Sequence, residues 1–489
     1  MEDKYIVAIE IGSSKIRGAL ASIDPTGAIN ILAVQEERVA DSVRYGHVKN
    51  IEEVSTKVDN IRRKLENSRV IQPRKISGVY VGLSGCTIGA SLASETSRFE
   101  ADTVIDTSTI EHLKGLITTV GTGGKDIYEL LPNEFIVDNE STLNPVGRVG
   151  RSIKGTFSVI EGVPAIKNNL NRVFPERLNL QVNGYIVSAL AQANMVLTPD
   201  EKQLGCMFVD FGCETTTVVI YKKGVLRYMV TLPMGSRNIT RDLVSLNHLE
   251  EHAESIKRSI GIVSAADSAP RHSGPHSIEQ PELNSFISAR AGEIVANVIA
   301  NIEYAGFTPA DLPSGIITVG GGARLKGLSD MIAAQSNMKV RMGTTPRNVR
   351  ISDTSITSDD ICDVVALVIA AAENHPVDCL SPVIIPDYND RNGQPADRMP
   401  EYDDEDDDVR IGRDDDYDDY DEDMFISGNG RGGKGRHGGK GGRHIDTEKT
   451  KEPQKPKDTN SIIKRIQKKF SEIFSDDEAD RFEEEEDRE

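Results

Sequence analysis

The chain has 489 residues, enough for two or more domains, and a formal net charge of −20. That charge is concentrated in two acidic runs, 401–424 and 476–489, so residues 1–385 keep the mild acidity ordinary for a soluble body. Five cysteines, at positions 86, 206, 213, 362 and 379, form no CxxC pair, which argues against a disulfide framework or a zinc site and fits a reducing compartment. The apolar stretch near the N-terminus is too short and too acidic for a signal peptide. No run approaches the roughly 20 apolar residues of a membrane span, so any membrane contact is expected to be peripheral.

In chain order, Tyr5–Ile11 and Ile16–Ala21 read as a hairpin broken at Gly12-Ser13-Ser14. Ile51–Leu65 reads as a helix and Ile76–Gly82 as a strand. Residues 83–163 read as short strands with one helix, Ile110–Val120. A helix at Val163–Val173, a strand at Leu180–Val187 and a helix at Ser188–Val196 follow. Leu204–Lys222 then repeats the first hairpin: apolar strand, acidic residue, Gly turn, hydroxyl residues, strand. Helices are expected at Ile239–Leu246, Leu249–Ser259 and Leu283–Ala305, with a loop at 262–281. A buried strand at Gly315–Val319 leads to Gly320-Gly321-Gly322, which is expected to open a helix, and 361–373 reads as a buried helix. The duplicated hairpin favours an α/β fold of two similar halves. From Pro386 onward the packing pattern stops, and the composition is that of a disordered linker.

A Gly turn with hydroxyl residues aims backbone N–H groups and hydroxyls at one point, which suits a phosphate. An acid at the strand end suits Mg²⁺. The first turn offers Glu10, Gly12, Ser13, Ser14 and Lys15. The second offers Asp210, Gly212, Thr215 and Thr216, with a further Gly turn at Gly235. One such turn is common; two, together with Gly320, Gly321, Gly322 and Arg324 after a buried strand, point to a phosphate site with Mg²⁺ at Glu10 and Asp210. Glu254 and Lys257 share a helix face at i, i+3, followed by Arg258; spacing alone leaves a surface ion pair as good a reading as a functional contact.

The ordered set of two phosphate turns and a third Gly-rich turn resembles the actin, Hsp70 and sugar-kinase superfamily. The resemblance implies that the third turn meets the adenosine of ATP and that Glu254 and Lys257, beside Arg258, touch the ribose and adenine. Within that superfamily, Val79-Tyr-Val-Gly82-Leu-Ser84-Gly85, Leu131–Asp138, Asn144-Pro145-Val-Gly147, Val196–Gly205 and Leu232-Pro-Met-Gly235 resemble the bacterial cell-division FtsA family over 1–385. The resemblance implies an actin-like two-domain fold with duplicated ribonuclease-H-like halves and an SHS2-like insertion. It implies subdomain 1A at 1–82 and 164–204, 1C at 83–163, 2A at 205–244 and 306–385, and 2B at 245–305. It also implies an ATP-binding scaffold that polymerises with itself and anchors FtsZ filaments to the cytoplasmic face of the inner membrane. There it would bind the FtsZ C-terminal peptide on 2B, with Arg290 as a candidate contact, and meet later division proteins. The family usually has Asp where this chain has Glu10, and glycines where it has Cys213 and Glu214. Those departures favour a scaffold with at most weak ATPase activity, and no catalytic residue is assigned. The alternative is a small-molecule kinase of the same superfamily.

Beyond the linker 386–460, Ile462, Ile463, Ile466, Phe470, Ile473 and Phe474 fall on one helical face, and Lys464, Arg465, Lys468 and Lys469 on the other. That pattern at 461–475 reads as an interfacial anchor for an anionic membrane, with a partner-binding helix as the alternative. The acidic tail 476–489 would weaken a single anchor, so polymer avidity is expected to matter. The Gly/Arg segment 427–444 reads as a charged spacer rather than a nucleic-acid site, since it lacks interleaved aromatics.

Overall fold

A computed structural model describes residues 3–382, apart from 68–70, 122, 246–248, 264–279, 347–348, 353–360 and 375. The linker, the amphipathic 461–475 segment with all its membrane residues, and the acidic tail lie outside the described residues, as does most of the expected loop at 262–281.

The apolar run that opens the chain folds back on itself. β1 (Lys4–Ile11) pairs antiparallel with β2 (Lys15–Ile23), from Lys4↔Ile23 to Ile11↔Ile16. β2 continues into β3 (Ile29–Arg38). A small hairpin, β4 (Val43–Arg44) and β5 (His47–Val48), turns at Tyr45–Gly46 with φ of 51° and 80°, the left-handed pair that a tight hairpin needs. α1 (Ile51–Glu66) is capped by the Asn50 side chain, which accepts the Glu53 N–H, and it buries Val54, Val58, Ile61 and Leu65 at helical spacing. β6 (Gly78–Leu83) runs parallel beside β1.

The inserted block is built of β7 (Gly89–Val104), α2 (Thr107–Val120), β8 (Asp126–Val137), β9 (Glu140–Thr142) and β10 (Val149–Gly162), in sheet order β7-β10-β8-β9. Its strands are long rather than short, 16, 12 and 14 residues for β7, β8 and β10. The polar residues that alternate along β7 dilute its apolar pattern. The block has its own core around Leu113, Ile117, Phe135 and Phe157, the two Phe rings meeting edge to face at 5.6 Å.

α3 (Pro164–Asn171), a π-helical turn at Arg172–Arg177, β11 (Gln181–Val187), α4 (Ser188–Val196) and α5 (Pro199–Leu204) complete the first half. The second half restarts with β12 (Cys206–Phe211), β13 (Thr216–Lys222) and β14 (Val225–Leu232). Next come α6 (Ser236–Val244), α7 (Glu250–Ile260) and α8 (Gln280–Tyr304). β15 (Ile316–Val319) leads into a 3₁₀ turn at Gly322–Arg324, and the helix expected to open at the glycines, α9 (Leu328–Ser336), begins only after Gly327. β16 (Val340–Met342), β17 (Val349–Ile351) and α10 (Cys362–Glu373) follow.

The two main sheets are the same design. One reads β11-β6-β1-β2-β3-β17, the other β14-β13-β12-β15-β16. From β3 to β11 and from β14 to β16 the pairings run antiparallel, antiparallel, parallel, parallel. The inserted block docks on β14 through a buried polar cluster: Asn133 Nδ2 and Ser158 Oγ donate to the Leu226 carbonyl at 2.9 and 3.1 Å, and Arg227 donates to Asn133 Oδ1.

Candidate functional site

The two hairpins close in the same way. Gly12 N–H donates to the Lys15 carbonyl at 3.0 Å, and Gly212 N–H donates to the Thr215 carbonyl at 2.9 Å. A Cβ on either glycine would crowd that carbonyl, at 3.0 and 2.7 Å, so glycine is needed at both. Two residues before each glycine stands an acid.

Glu10 is buried, and its Oε2 accepts the Ser188 hydroxyl at 2.6 Å. It fits because Gly82 has no side chain: a Cβ there would lie 1.8 Å from Oε2. Burial raises the Glu10 carboxyl to about 8; the Ser188 hydrogen bond opposes that rise, and the charges of Asp363 and Asp210 add to it. Asp210 Oδ2 accepts Gln192 Nε2 at 3.2 Å, and its Oδ1 lies 2.3 Å from where a Gly320 Cβ would stand. Burial raises Asp210 to about 6, with the Gln192 hydrogen bond opposing and the Asp363 charge adding. Among the described residues no group of three or more His, Cys, Asp and Glu side chains is placed to hold a metal ion. Glu10 is buried and Asp210 half-buried, and a divalent cation bound by such a pair would have to complete its shell with phosphate and water.

Lys15, expected at a phosphate, points elsewhere: its Nζ pairs with Glu36 Oε2 at 2.9 Å. Burial, and then the neighbouring Arg17 charge, lower its pKa. Arg17, buried on β2, bridges Glu36 and both oxygens of Asp363, the latter at 2.8 Å. Ser13 is buried and accepts the Gly46 N–H at 3.0 Å, whereas Ser14 is exposed. Thr216 is buried and donates to the Met234 carbonyl at 2.8 Å.

The second turn is backed by glycines. A Cβ at Gly235 would lie 2.5 Å from the Cys213 carbonyl, and at Gly320, with φ of +89°, 2.5 Å from the Phe211 carbonyl. Gly322 packs on Phe211 in the same manner. Gly321 differs: it is exposed, and a Cβ there would meet nothing within 4 Å. Gly235 leads into α6, whose Ser236 and Arg237 N–H groups donate to the Gly212 and Cys213 carbonyls. Lys257 is buried, not a surface residue. It donates to the Ser236 carbonyl and to Thr240 Oγ1 at 2.9 and 2.8 Å, and pairs with Glu254 at 2.5 Å. Arg258 and Arg324 are exposed.

Thus Glu10, Gly12, Ser13, Asp210, Gly212 and Thr215 lie on the two turns, and Gly235 and Gly320–Gly322 back the second turn. Arg290 belongs elsewhere. It sits on α8 and holds Asp242 of α6 through two bonds, 2.6 and 2.9 Å, and also Glu293. Sequence reasoning missed Arg17, Ser188, Gln192 and Asp363. The first two sit inside apolar runs and the last two inside helices, where nothing in the local pattern marks them.

Residues 207–366 match the family model described as Cell division protein FtsA. The cell division protein FtsA of Porphyromonas gingivalis is 29% identical over 353 residues, covering 70% of this chain and 72% of that protein. That of Pseudomonas aeruginosa is 25% identical over 357 residues, covering 70% and 83%. The chain is similar to the FtsA family of cell-division proteins. Among solved structures, a PilM-PilN type IV pilus biogenesis complex matches with a TM-score of 0.56 at 14% identity, covering 76% of this chain and 98% of that one. That likeness concerns the fold alone. The fold is mixed α/β and actin-like.

Proposed function

We propose that the chain binds Mg²⁺-ATP between the turns Gly12–Lys15 and Gly212–Thr215 and acts as a nucleotide-dependent scaffold of cell division. The observation that carries this reading is the matched closure of the two turns by Gly12 N–H and Gly212 N–H, each with an acid two residues before it. The backbone of the two turns, Gly12 and Gly212 included, and the hydroxyls of Ser13, Ser14 and Thr215 would hold the phosphates, with Thr216 bracing the second turn through the Met234 carbonyl and Lys15 released from Glu36 or acting at a distance. Gly320–Gly322 and Arg324 would face the adenosine, and Gly235, Glu254, Lys257 and Arg258 the ribose side. Mg²⁺ would lie at Glu10 and Asp210 and offset their mutual repulsion. The exposed, contact-free Gly321 supports this, since a bare backbone turn allows a base to approach closely.

The test is a calorimetric titration of Mg²⁺-ATP into the full chain and into Gly321→Val. A Cβ at Gly321 would meet nothing within 4 Å, so the melting temperature should hold while affinity falls at least about tenfold, since the added side chain would overlap the ligand. Equal affinity in the two proteins would move the nucleotide away from this turn.

The rest of the reading follows from the family and from the C-terminal pattern. The scaffold would polymerise, bind the acidic C-terminal peptide of FtsZ, lie on the cytoplasmic face of the inner membrane through 461–475, and meet later division proteins. Any use of Arg290 by an acidic peptide has to displace Asp242. Deleting 461–475 should abolish co-sedimentation with anionic vesicles; retention on them would refute the anchor.

A further inference from the structure

The second turn carries a carboxylate that its proposed ligand does not need. Glu214 is 2% exposed, and its Oε2 accepts the Tyr45 N–H at 2.7 Å. Its Oε1 lies 3.0 Å from Arg44 Nε, 3.0 Å from Arg237 and 3.5 Å from Arg241. Arg44 and Tyr45 belong to the β4–β5 hairpin of the first half, and Arg237 and Arg241 to α6 of the second. The next amide along that hairpin, Gly46 N–H, donates to Ser13 Oγ of the first turn. Two successive amides of one tight turn are therefore gripped by the two hairpin turns, one each. α6 moves with the second turn, because its first amides are bonded to Gly212 and Cys213.

We propose that Glu214 is a positioning residue that latches the two turns at their closed spacing, through Tyr45–Gly46, before any nucleotide arrives. The inference deepens the nucleotide reading and rests on it for its consequence, though not for the latch itself. A buried carboxylate shared among three guanidinium groups is costly to break one contact at a time, so the grip opens as a unit. It also neutralises arginines that would otherwise draw the polyphosphate. With Glu214 removed, closure should depend on nucleotide.

Hydrogen exchange on the full chain tests this in the peptide spanning residues 39–50, for wild type, Glu214→Ala and Glu214→Gln, with and without Mg²⁺-ATP. The glutamine keeps an acceptor for Tyr45 N–H but lacks the charge, and it serves where the alanine folds poorly. Without nucleotide, the wild-type segment should exchange slowly and both variants at least about tenfold faster, while α8 and the inserted block stay unchanged. Mg²⁺-ATP should slow the variants back toward wild type and change wild type little. Unchanged exchange in the variants would overturn the latch, as would acceleration spread evenly over the chain. Local acceleration that Mg²⁺-ATP fails to reverse would support the latch and count against the nucleotide reading.

Discussion

The turn at Gly12–Lys15 keeps its acid beneath Gly82, held by a serine hydroxyl, whereas the turn at Gly212–Thr215 keeps its acid over Gly320, held by a glutamine amide. The backbones match bond for bond, but the side chains have diverged. Glu10 faces Asp210, Ile16 faces Thr216, and Ser13-Ser14 faces Cys213-Glu214 at the equivalent places. Duplication preserved what the chain geometry demands, the Gly N–H and the carbonyl three residues on. It left the filling of each carboxylate pocket to neighbours from other elements. The extra methylene of Glu10 is accommodated because Gly82 supplies the space, so the departure from aspartate is built into the packing.

The largest effects should come from filling those spaces. Gly320→Ala combines a left-handed φ of +89° with contacts of 2.3 Å to Asp210 and 2.5 Å to the Phe211 carbonyl. It should cost roughly 3 kcal/mol of stability, read by denaturant unfolding. Gly82→Ala meets mainly the Glu10 carboxylate and Ser188 hydroxyl, which can shift, so its cost should be nearer about 1–2 kcal/mol. If Gly82→Ala proves the more damaging, the first turn is the stiffer one and the ranking of the two pockets is wrong.

An intermediate effect concerns protons. The folded pKa of Glu10 is raised from 4.5 to about 8. The native state therefore holds this proton more tightly than the unfolded chain does. The associated stability is fully present below pH 4.5 and is lost as pH rises through about 8. Without Mg²⁺, the melting temperature of wild type should fall relative to Glu10→Gln between pH 5 and pH 8.5, by roughly a few degrees, because the glutamine cannot ionise. Mg²⁺-ATP should recover part of that loss in wild type alone. A wild-type curve parallel to that of Glu10→Gln would show that Glu10 does not titrate in this range.

The smallest expected effect is at Thr216, whose counterpart is Ile16. Thr216→Val removes the hydroxyl bond to the Met234 carbonyl and makes the second turn resemble the first, costing about 1 kcal/mol. A stabilising valine would mean that the carbonyl finds another donor.

Much of the fold could be read from the sequence because the apolar runs have the period of their elements. Ser188–Val196 forms the helix expected of it, and the restart of the hairpin at Cys206 announces the second half. The inserted strands hid their length, since a strand whose inner face is only half-buried looks largely polar, as β7 does. The glycines of the candidate site were legible and their partners were not. Gln192 reaches it from a helix 18 residues before Asp210 and Asp363 from a helix 346 residues beyond Arg17, and both contacts are set by tertiary packing. In the sequence Glu214 stands out only as a departure from the glycine usual in the family; the fold brings Arg44, Arg237 and Arg241 around it.

The proposed scaffold requires nucleotide between the matched turns. A crystal structure of the full chain grown with Mg²⁺ and a non-hydrolysable ATP analogue tests this most directly. The predicted result is phosphate density bridging the Gly12–Lys15 and Gly212–Thr215 turns, a cation within reach of Glu10 and Asp210, and a base against Gly321. Clear protein density at both turns with no nucleotide between them, at saturating analogue, would contradict the account.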